Sequence, residues 1–411
     1  MVSKIKGEFQ YFKSMPHGMR VLLITNMIYS MVLPIIEVFV SAYIMRSESN
    51  PSLVLKYQLA VFTGIPITFV VNGYLLNHIK VAHLYSVGML LSGVSMFIMM
   101  FLENLNLTAI VVSGFLMGLS YGFFWANRDF LALATTNDDN RNYYYGLETF
   151  FYTISAIIIP AFVGLLFFYT DEFNWFGGGQ IISYRLLTVL VFALTITSTV
   201  IIHRGKFEKP KLKKFIYFKF DQLWNKLLVL SALKGLAQGY LVTVPAILIL
   251  KLVGDEEILS TVVSISGVIA AITLYLLGRF TKPNHRIYIF AIAYIIFFIG
   301  AFTHAYLFSA LGVIIFILSK VLYQPLHDIS YFPIQLRVID ILTVKEGKSE
   351  FSYILNHEFG LYFGRVIGIG LFLLLAGYIS DTVALRYSLI IIGIVQLLSI
   401  PLAKHIINKS K

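Results

Sequence analysis

The chain has 411 residues, of which 58% are hydrophobic and only 13% are charged, and its formal net charge is +11. A water-soluble globular protein carries about 25% charged residues, so this composition excludes a large soluble domain and predicts a multi-pass membrane protein. The chain contains no cysteine, which excludes disulfides, thiolate metal sites and cysteine nucleophiles.

A helix that spans the bilayer needs about 20 mostly apolar residues, and twelve segments of the sequence meet that requirement. In chain order, the predicted spans are residues 21–43, 53–76, 84–102, 107–131, 144–169, 184–202, 227–253, 258–277, 287–304, 307–332, 353–379 and 383–407. They form two groups of six, within residues 1–203 and 227–411, joined by a basic segment at 204–226. The predicted fold class is therefore an all-α polytopic membrane protein with two six-helix bundles.

Positive charge is distributed unevenly between the two sides of the membrane. If the N-terminus is cytoplasmic and the sides alternate, most of the 32 lysines and arginines lie in cytoplasmic segments. The outer loops and helix ends carry acidic residues, as in "GDEE", and only five basic ones: Arg46, Lys56, Arg185, Lys251 and Arg386. This bias predicts a protein of the cell membrane with both termini in the cytoplasm. It also accounts for the net charge without a nucleic-acid partner.

The strongest basic cluster, "HRGKFEKPKLKKFIYFKFDQLWNK", separates the sixth predicted span from the seventh. Its second part, from residue 213 to 228, mixes lysines with aromatic residues. That composition is typical of an amphipathic helix that lies on the inner leaflet. The alternative interpretation is a solvated linker whose charges only set the topology.

The two groups of spans contain traces of an internal repeat, as expected for a duplicated architecture. When the fourth span is aligned with the tenth, two sets of four residues coincide: Tyr121, Trp125, Arg128 and Asp129 with Lys320, Gln324, His327 and Asp328. When the fifth span is aligned with the eleventh, Glu148 coincides with Glu358. The difference in offset predicts a longer cytoplasmic loop at 337–350, and the coincidences predict that the two bundles are pseudo-symmetric.

With six spans, a basic central segment and six more spans, the whole chain resembles the major facilitator superfamily. Members often have a Gly-x-x-x-Asp-Arg-x-Gly-Arg type of loop after the second span. Here "GYLLNHIKVAH" keeps Gly73 and the positive charge of Lys80 and His83, but has Asn and His at the Asp and Arg positions. In the fifth span, "IIIPAFVG" keeps Pro160 and Gly164 of a motif common in antiporters of the family. The resemblance implies a bacterial secondary transporter that works by alternating access, with the first, fourth, seventh and tenth spans lining a central cavity.

Several polar residues on these four spans are candidates for substrate binding. A charge in the hydrocarbon region costs at least about 2.5 kcal/mol on insertion scales, so it normally faces a cavity or a partner. The candidates are Glu37, Tyr121, Trp125, Lys234, Lys320 and Gln324. On the first span, Asn26, Ser30 and Ser41 share a helical face with Glu37. Lysines and an acid beside aromatic rings predict a small polar, anionic or zwitterionic solute, whereas pairing of these charges with helix ends is the alternative.

A second set of charged residues lies nearer the cytoplasmic ends of the fourth, fifth, tenth and eleventh spans. Its members are Arg128, Asp129, Glu148, His327, Asp328, Glu358 and Arg365. Their symmetry predicts an inner gate that closes by ion pairing between the two halves, with helix capping as the alternative for Arg128 and Asp129. Because desolvation favours the protonated form of an acid, Glu37, Glu148 and Glu358 are candidates for carrying a coupling proton, with permanent salt bridges as the alternative.

The sequence contains no recognisable motif for catalysis, a cofactor or a metal. "NHEFGLYFG" contains His357 followed by Glu358, but Leu361 stands where a zinc-binding helix would have its second histidine. We therefore expect a monomeric, proton-coupled transporter rather than an enzyme, with no cofactor, whose partners are a small solute, protons and the lipid bilayer. A lipid or lysolipid flippase, and a non-transporting membrane receptor or partner-binding subunit, are the alternatives.

Overall fold

The computed structural model describes residues 10–101, 106–136, 138–173, 179–207, 215–280 and 285–410. Within these ranges the secondary structure is helical, without any strand. Twelve helices in the described part of the chain are long and apolar enough to cross a membrane, which confirms the predicted spans and fold class.

Most of the spans are continuous helices. The second to sixth and the eighth to eleventh spans are Pro51–Leu75, Val81–Phe101, Leu107–Thr135, Asp138–Glu172, Gly179–Ile202, Glu256–Phe280, Arg286–Leu307, Ala310–Glu346 and Glu350–Tyr378. The first, seventh and twelfth spans are interrupted. The first span consists of His17–Ser30, Val32–Pro34, a π-helical turn at Ile35–Phe39 and Val40–Glu48. The seventh consists of Gln222–Leu241 and Val244–Leu252, and the twelfth of Asp381–Gln396 and Ser399–Lys409.

Polar side chains fix where several of these helices begin. The side chains of Asn50, Asn106, Asp221 and Ser380 accept hydrogen bonds from backbone N–H groups in the first turn of the helix that follows each of them. The first backbone N–H groups of a helix have no partner within the helix, so these caps satisfy donors at the membrane boundary. The apolar runs between the caps then extend as helices because lipid offers the backbone no other hydrogen-bonding partners.

Glycine faces bring pairs of spans into close backbone contact. A Cβ atom on Gly118 of the fourth span would overlap the carbonyl oxygen of Val61 on the second. A Cβ atom on Gly364 of the eleventh span would likewise overlap the carbonyl oxygen of Ala232 on the seventh. Glycine at these two positions therefore lets the backbones of neighbouring spans pack closely.

The first six spans pack against the last six along two seams, the second span with the eleventh and the fifth with the eighth. At the helix ends that the sequence predicts to face outward, called the outer ends below, Arg46 Nη1 lies 3.6 Å from Glu256 Oε2, and Ser52 Oγ donates a 2.9 Å hydrogen bond to Asp381. At the opposite end, predicted to be cytoplasmic and called so below, the ring of Phe130 packs on a phenylalanine of the eleventh span with centroids 5.4 Å apart. Polar contacts therefore join the two halves on the outer side and an aromatic contact joins them on the inner side.

Two predicted segments differ from the structure on the cytoplasmic side. The sequence predicts an interfacial helix over residues 213–228. Residues 213 and 214 lie outside the described residues, 215–221 are not helical, and 222–228 belong to the seventh span, which begins at Gln222. The segment predicted as a longer loop continues the tenth helix to Glu346 instead. Gly347 caps that helix, with a φ of 65° that glycine adopts readily.

Candidate functional site

The first span is distorted in its middle, and this distortion orients Glu37. The α-helix stops at Ser30, and a five-residue π-helical turn, Ile35–Phe39, follows Pro34. Proline cannot donate a backbone hydrogen bond within a helix, and a π turn inserts a residue that shifts the faces of the helix on either side. Glu37 lies in this turn and faces a cavity between the two halves.

The π turn divides the polar stripe that the sequence predicts on the first span. Asn26 donates a 2.6 Å hydrogen bond to Glu148 of the fifth span. The hydroxyl of Ser30 lies 2.8 Å from that of Ser155, also on the fifth span. The single stripe is therefore a wrong prediction, because its cytoplasmic part packs against a helix of the same bundle and only Glu37 lines the cavity.

The cavity has a volume of about 440 Å³, within the range of small-molecule sites. The first, seventh, eighth and tenth spans line it, and its polar lining comprises Glu37, Lys234, Gln238, Ser266, Lys320, Tyr323, Gln324, His327 and Asp328. A smaller cavity of about 240 Å³ adjoins it and shares Glu37 and Gln238 with it. This second cavity is lined by Tyr121, Trp125 and Arg365, among others. All six predicted substrate-binding residues therefore line one of two adjoining cavities.

In the part of the chain that the structure describes, Glu37 and Lys320 are the two charged groups lining the cavity that have no direct partner. Among the described residues, neither side chain forms a hydrogen bond or an ion pair within 4.0 Å. They are near enough to attract each other through space. Because Glu37 belongs to the first bundle and Lys320 to the second, opposite charges face the cavity from its two sides.

Lys234, by contrast, is already neutralised. Its Nζ lies 3.6 Å from Asp328 Oδ1 and 4.2 Å from the ring centroids of both Tyr331 and Phe332. The same Asp328 oxygen is 2.9 Å from Nδ1 of His327. The seventh and tenth spans are thus joined by a compact group of ionisable residues at the edge of the cavity.

The ion pairs of the predicted inner gate lie within the bundles rather than between them. Arg128 pairs with Glu148 on the fifth span and, at 3.0 Å, with Asp129. Glu358 accepts a 2.5 Å hydrogen bond from Arg365 of its own helix. Together with the pairing of Lys234, this places the ion pairs of the described gate residues inside the bundles in this structure, and closure of an inner gate by pairing between the halves stays a prediction.

Arg365 makes its contact with the other half through an aromatic ring instead. Its guanidinium carbon lies 4.7 Å from the ring centroid of Phe62 on the second span. The guanidinium group also donates hydrogen bonds of 3.0 and 3.2 Å to Gln238 on the seventh span. Arg365 is therefore fixed beside the smaller cavity by three helices.

Comparison with known proteins identifies the family. Residues 21–331 match the sequence model of the family described as the Major Facilitator Superfamily. The chain belongs to the Major Facilitator Superfamily. It is therefore a multi-pass membrane protein of a superfamily of secondary transporters, and not a member of an enzyme family.

Two bacterial proteins resemble the chain in sequence, and solved transporter structures share its fold, all at low sequence identity. The chain is 22% identical over 381 residues to "Uncharacterized protein YqgE" of Bacillus subtilis (strain 168), covering 92% of this chain and 87% of that protein. It is 24% identical over 138 residues to "Uncharacterized protein in sodM 3'region" of Geobacillus stearothermophilus, covering 34% of this chain and 64% of that protein. A bacterial homologue of the human drug peptide transporters PepT1 and PepT2 superposes with a TM-score of 0.69 at 10% identity, over 95% of this chain and 98% of that one. The nucleoside transporter NupG superposes with a TM-score of 0.66 at 12% identity, over 95% and 99%.

Two features in and near the central cavity were not predicted from the sequence: the residue Gln238 and a hydrogen bond between two spans. Gln238 lies four residues after Lys234, a spacing that places both on one helical face and could have identified it. The second is a hydrogen bond of 2.7 Å between Tyr331 and Nε2 of His357. No local pattern indicates that contact, because the two residues lie on different spans.

Proposed function

We propose that this protein is a proton-coupled transporter of a small zwitterionic solute, which binds between Glu37 and Lys320. The observation that carries the proposal is that these two residues bring opposite, unpaired charges into one cavity from the two bundles. A solute with an amine at one end and an acidic group at the other would neutralise both. A purely anionic solute would satisfy the lysine and be repelled by the glutamate, since both charges act at short range in a site of low dielectric.

The adjoining aromatic wall supports a solute with an apolar or planar part. Tyr121 and Trp125 line the smaller cavity next to Glu37. Aromatic rings offer a large apolar surface and also attract cationic groups. The solved structures that share the fold include transporters of peptides and of nucleosides, which are polar solutes. A zwitterionic lipid head group carries the same two charges, so lysolipids are included in the thermal-shift series that tests the class of solute.

Glu37 is also the acid that we assign to proton coupling. Glu148, Asp328 and Glu358 each have a basic partner in an ion pair. An acid in such a pair gains little from a proton, whereas an unpaired acid in a cavity can exchange a proton for the amine of a solute. In this scheme the proton and the solute reach the same carboxylate, which links their movements.

The remaining charged pairs serve as fixed parts of the moving bundles. Each bundle of a transporter that rocks about a central site moves largely as a rigid body. Each of three ion pairs lies within a single bundle and therefore persists while the bundles rotate: Glu148 with Arg128 in the first bundle, and Lys234 with Asp328 and Glu358 with Arg365 in the second. Their role is then to keep the buried charges compensated in every state of the transport cycle.

A thermal-shift series on purified protein tests the class of solute. A ligand that binds the folded state raises the unfolding temperature, so amino acids and dipeptides are compared with analogues whose amine is acetylated or whose carboxylate is amidated. We expect a compound with both charges to stabilise the protein and each blocked analogue to lose the effect. Equal stabilisation by both blocked analogues, or stabilisation by lysolipids alone, would contradict the proposed solute class.

A transport assay in liposomes tests the coupling role of Glu37. With the solute found above, Glu37→Gln should bind it more weakly, because glutamine keeps only a hydrogen-bond acceptor for the amine. At saturating solute it should retain exchange of labelled solute across the membrane but lose accumulation driven by a pH gradient. Lys320→Gln should instead weaken solute binding in both assays. Glu172→Gln and Lys251→Gln, at exposed outer positions, are the matched controls. Gradient-driven accumulation by the Glu37 variant at the rate of the unaltered protein would refute the assignment.

A further inference from the structure

A second, separate pocket lies at the cytoplasmic end of the first bundle. It has a volume of about 390 Å³ and is formed where the third span begins and the sixth span ends. Its polar lining comprises Lys80, His83, His203 and Lys206, and none of the described residues that line it is acidic. The two imidazole rings lie edge to face with centroids 4.9 Å apart, and Nε2 of His203 is 3.2 Å from the hydroxyl of Ser86. The chemistry of this lining suits a phosphate group.

A groove between the same two spans lies farther along them, toward the middle of the membrane. Its volume is about 460 Å³, and its lining is apolar except for one threonine: Val94, Phe97, Thr188, Val189, Phe192, Ala193 and Ile196. The hydroxyl of Thr188 is bonded to the carbonyl of Tyr184 in its own helix, so it does not offer a free polar group. A groove of this kind suits an acyl chain.

Helical periodicity places the pocket and the groove on one continuous surface. On the third span, His83, Val87, Leu90, Val94 and Phe97 follow one another at steps of three or four residues, so they share one face. On the sixth span, His203, Val200, Ile196 and Phe192 follow the same spacing in the opposite direction. Val87 and Val200, which lie between pocket and groove, are both exposed at the surface of the protein.

The distance between pocket and groove matches the dimensions of one lipid leaflet. At 1.5 Å per residue, Ile196 lies about 10 Å and Val94 about 16 Å along their helices from the two histidines. The hydrocarbon core of a bilayer is about 30 Å thick, so one leaflet contributes about 15 Å. A lipid whose head group occupies the pocket would therefore place the methyl-terminal part of an acyl chain in the groove.

We propose that these two features form one binding site for an anionic phospholipid of the inner leaflet. Its phosphate lies between Lys80, Lys206 and the two histidines, and one acyl chain lies in the groove between the third and sixth spans. Basic pockets between spans on the cytoplasmic side are a known setting for anionic lipid head groups. Because this surface is on the outside of the first bundle, away from the central cavity, the site does not depend on the proposed solute.

Native mass spectrometry and thermal unfolding of the detergent-purified full chain test the site with defined probes. The probes are phosphatidylglycerol, phosphatidylcholine, glycerol phosphate and inorganic phosphate. We expect phosphatidylglycerol to be retained and to raise the unfolding temperature, with much smaller effects of the other three. If phosphatidylcholine is retained equally well, or if inorganic phosphate protects as well as phosphatidylglycerol, the proposal is wrong.

Two variants separate the head-group part of the site from the chain part. Lys80→Gln with Lys206→Gln should weaken retention of phosphatidylglycerol by roughly 30-fold, from the usual contribution of two surface lysines to binding of anionic lipid. Ala193→Phe fills the groove and should also weaken it.

Each variant has a matched control on another surface, Lys404→Gln with Lys409→Gln for charge and Ala161→Phe on the fifth span for bulk. Unfolding temperatures without added lipid identify any variant that is misfolded, and in that case His83→Gln, at an exposed position, replaces the double-lysine variant, and Ala193→Leu the phenylalanine variant. Equal losses in variants and controls, or no loss in the variants, would overturn the proposal.

Discussion

The ion pair of Glu148 with Arg128 offers the sharpest stability test of how this bundle holds its buried charges. Glu148 is 1% exposed and accepts hydrogen bonds from Asn26, from Tyr144 at 3.1 Å and from Nε of Arg128 at 2.9 Å. Replacing it with alanine removes this ion pair, while the 3.0 Å contact of Arg128 with Asp129 stays in place. We therefore expect Glu148→Ala to destabilise the first bundle strongly.

The size of the effect follows from the contacts that are lost. Breaking a buried ion pair by removing one partner costs about 3–5 kcal/mol. The 3.0 Å contact of Arg128 with Asp129 offsets part of this cost, while Asn26 and Tyr144 each lose one hydrogen-bond acceptor, which adds to it. We expect a net loss of about 4 kcal/mol for Glu148→Ala. The double variant Arg128→Met with Glu148→Met removes both charges and should lose about 1–3 kcal/mol, since replacing a whole buried pair with apolar residues is often close to neutral.

Equilibrium unfolding in mixed micelles of a mild and a denaturing detergent, followed by circular dichroism, measures these differences. Glu172→Ala at the exposed outer end of the same span is the control and should change the stability by less than about 0.5 kcal/mol. The decisive quantity is the double variant compared with Glu148→Ala alone. If the double variant is the less stable of the two, the pair contributes net stability through its charges and our reasoning about compensation is refuted.

Three further predictions concern packing, the outer contact between the halves and the cytoplasmic surface. Gly118→Ala should lower the stability by about 1–3 kcal/mol in the same unfolding assay, because its Cβ would overlap a backbone carbonyl, whereas Gly370→Ala, with open space around it, should have little effect. Arg46→Ala should leave the 2% exposed carboxylate of Glu256 without its basic partner, so that the outer side opens more often. A cysteine introduced on the outer half of the first span should then be labelled about 5- to 30-fold faster, and the chain has no other cysteine to interfere. Unchanged labelling would show that this pair does not hold the outer side closed. Asp221 accepts a hydrogen bond from a lysine of the tenth span, which lowers the pKa of the Asp221 carboxyl. The stability that this carboxylate contributes is therefore present above the ordinary carboxyl pKa of about 4 and is lost as the pH falls through the lowered pKa. Asp221→Asn should remove that part of the pH dependence of unfolding.

The number and type of the secondary-structure elements could be predicted because the membrane allows few alternatives. A long apolar run in lipid has to become a helix, so the twelve spans and their order follow from the composition of each segment. The ends were harder to predict where a helix leaves the membrane. The tenth helix continues as far as Glu346 because water also permits a helix, and a hydropathy pattern does not distinguish a polar helix from a polar loop.

The candidate cavity was predictable in its residues but not in its pairings. Residues such as Lys320 could be identified because a lone charge deep in an apolar span requires a reason to be there. Which residue pairs with which depends on packing between spans that are far apart in the sequence, as for Asn26 with Glu148 and for Lys234 with Asp328. The π turn around Glu37 is a further case, because Pro34 predicts a local disturbance of the helix but not the direction in which the next turn faces.

The pairings change the meaning of the charged residues more than their positions do. A charge that faces the membrane interior without a partner is expensive, so a stable bundle compensates its charges within itself wherever it can. Seven of the charged positions singled out from the sequence are compensated in this way, among them Glu148 and Arg365. Glu37 and Lys320 are not, although each bundle contains other polar groups that could have been placed near them. Glu37 and Lys320 attract each other across the cavity without direct contact, and the zwitterionic solute that we propose would complete both pairs, with its amine on the carboxylate and its acidic group on the lysine.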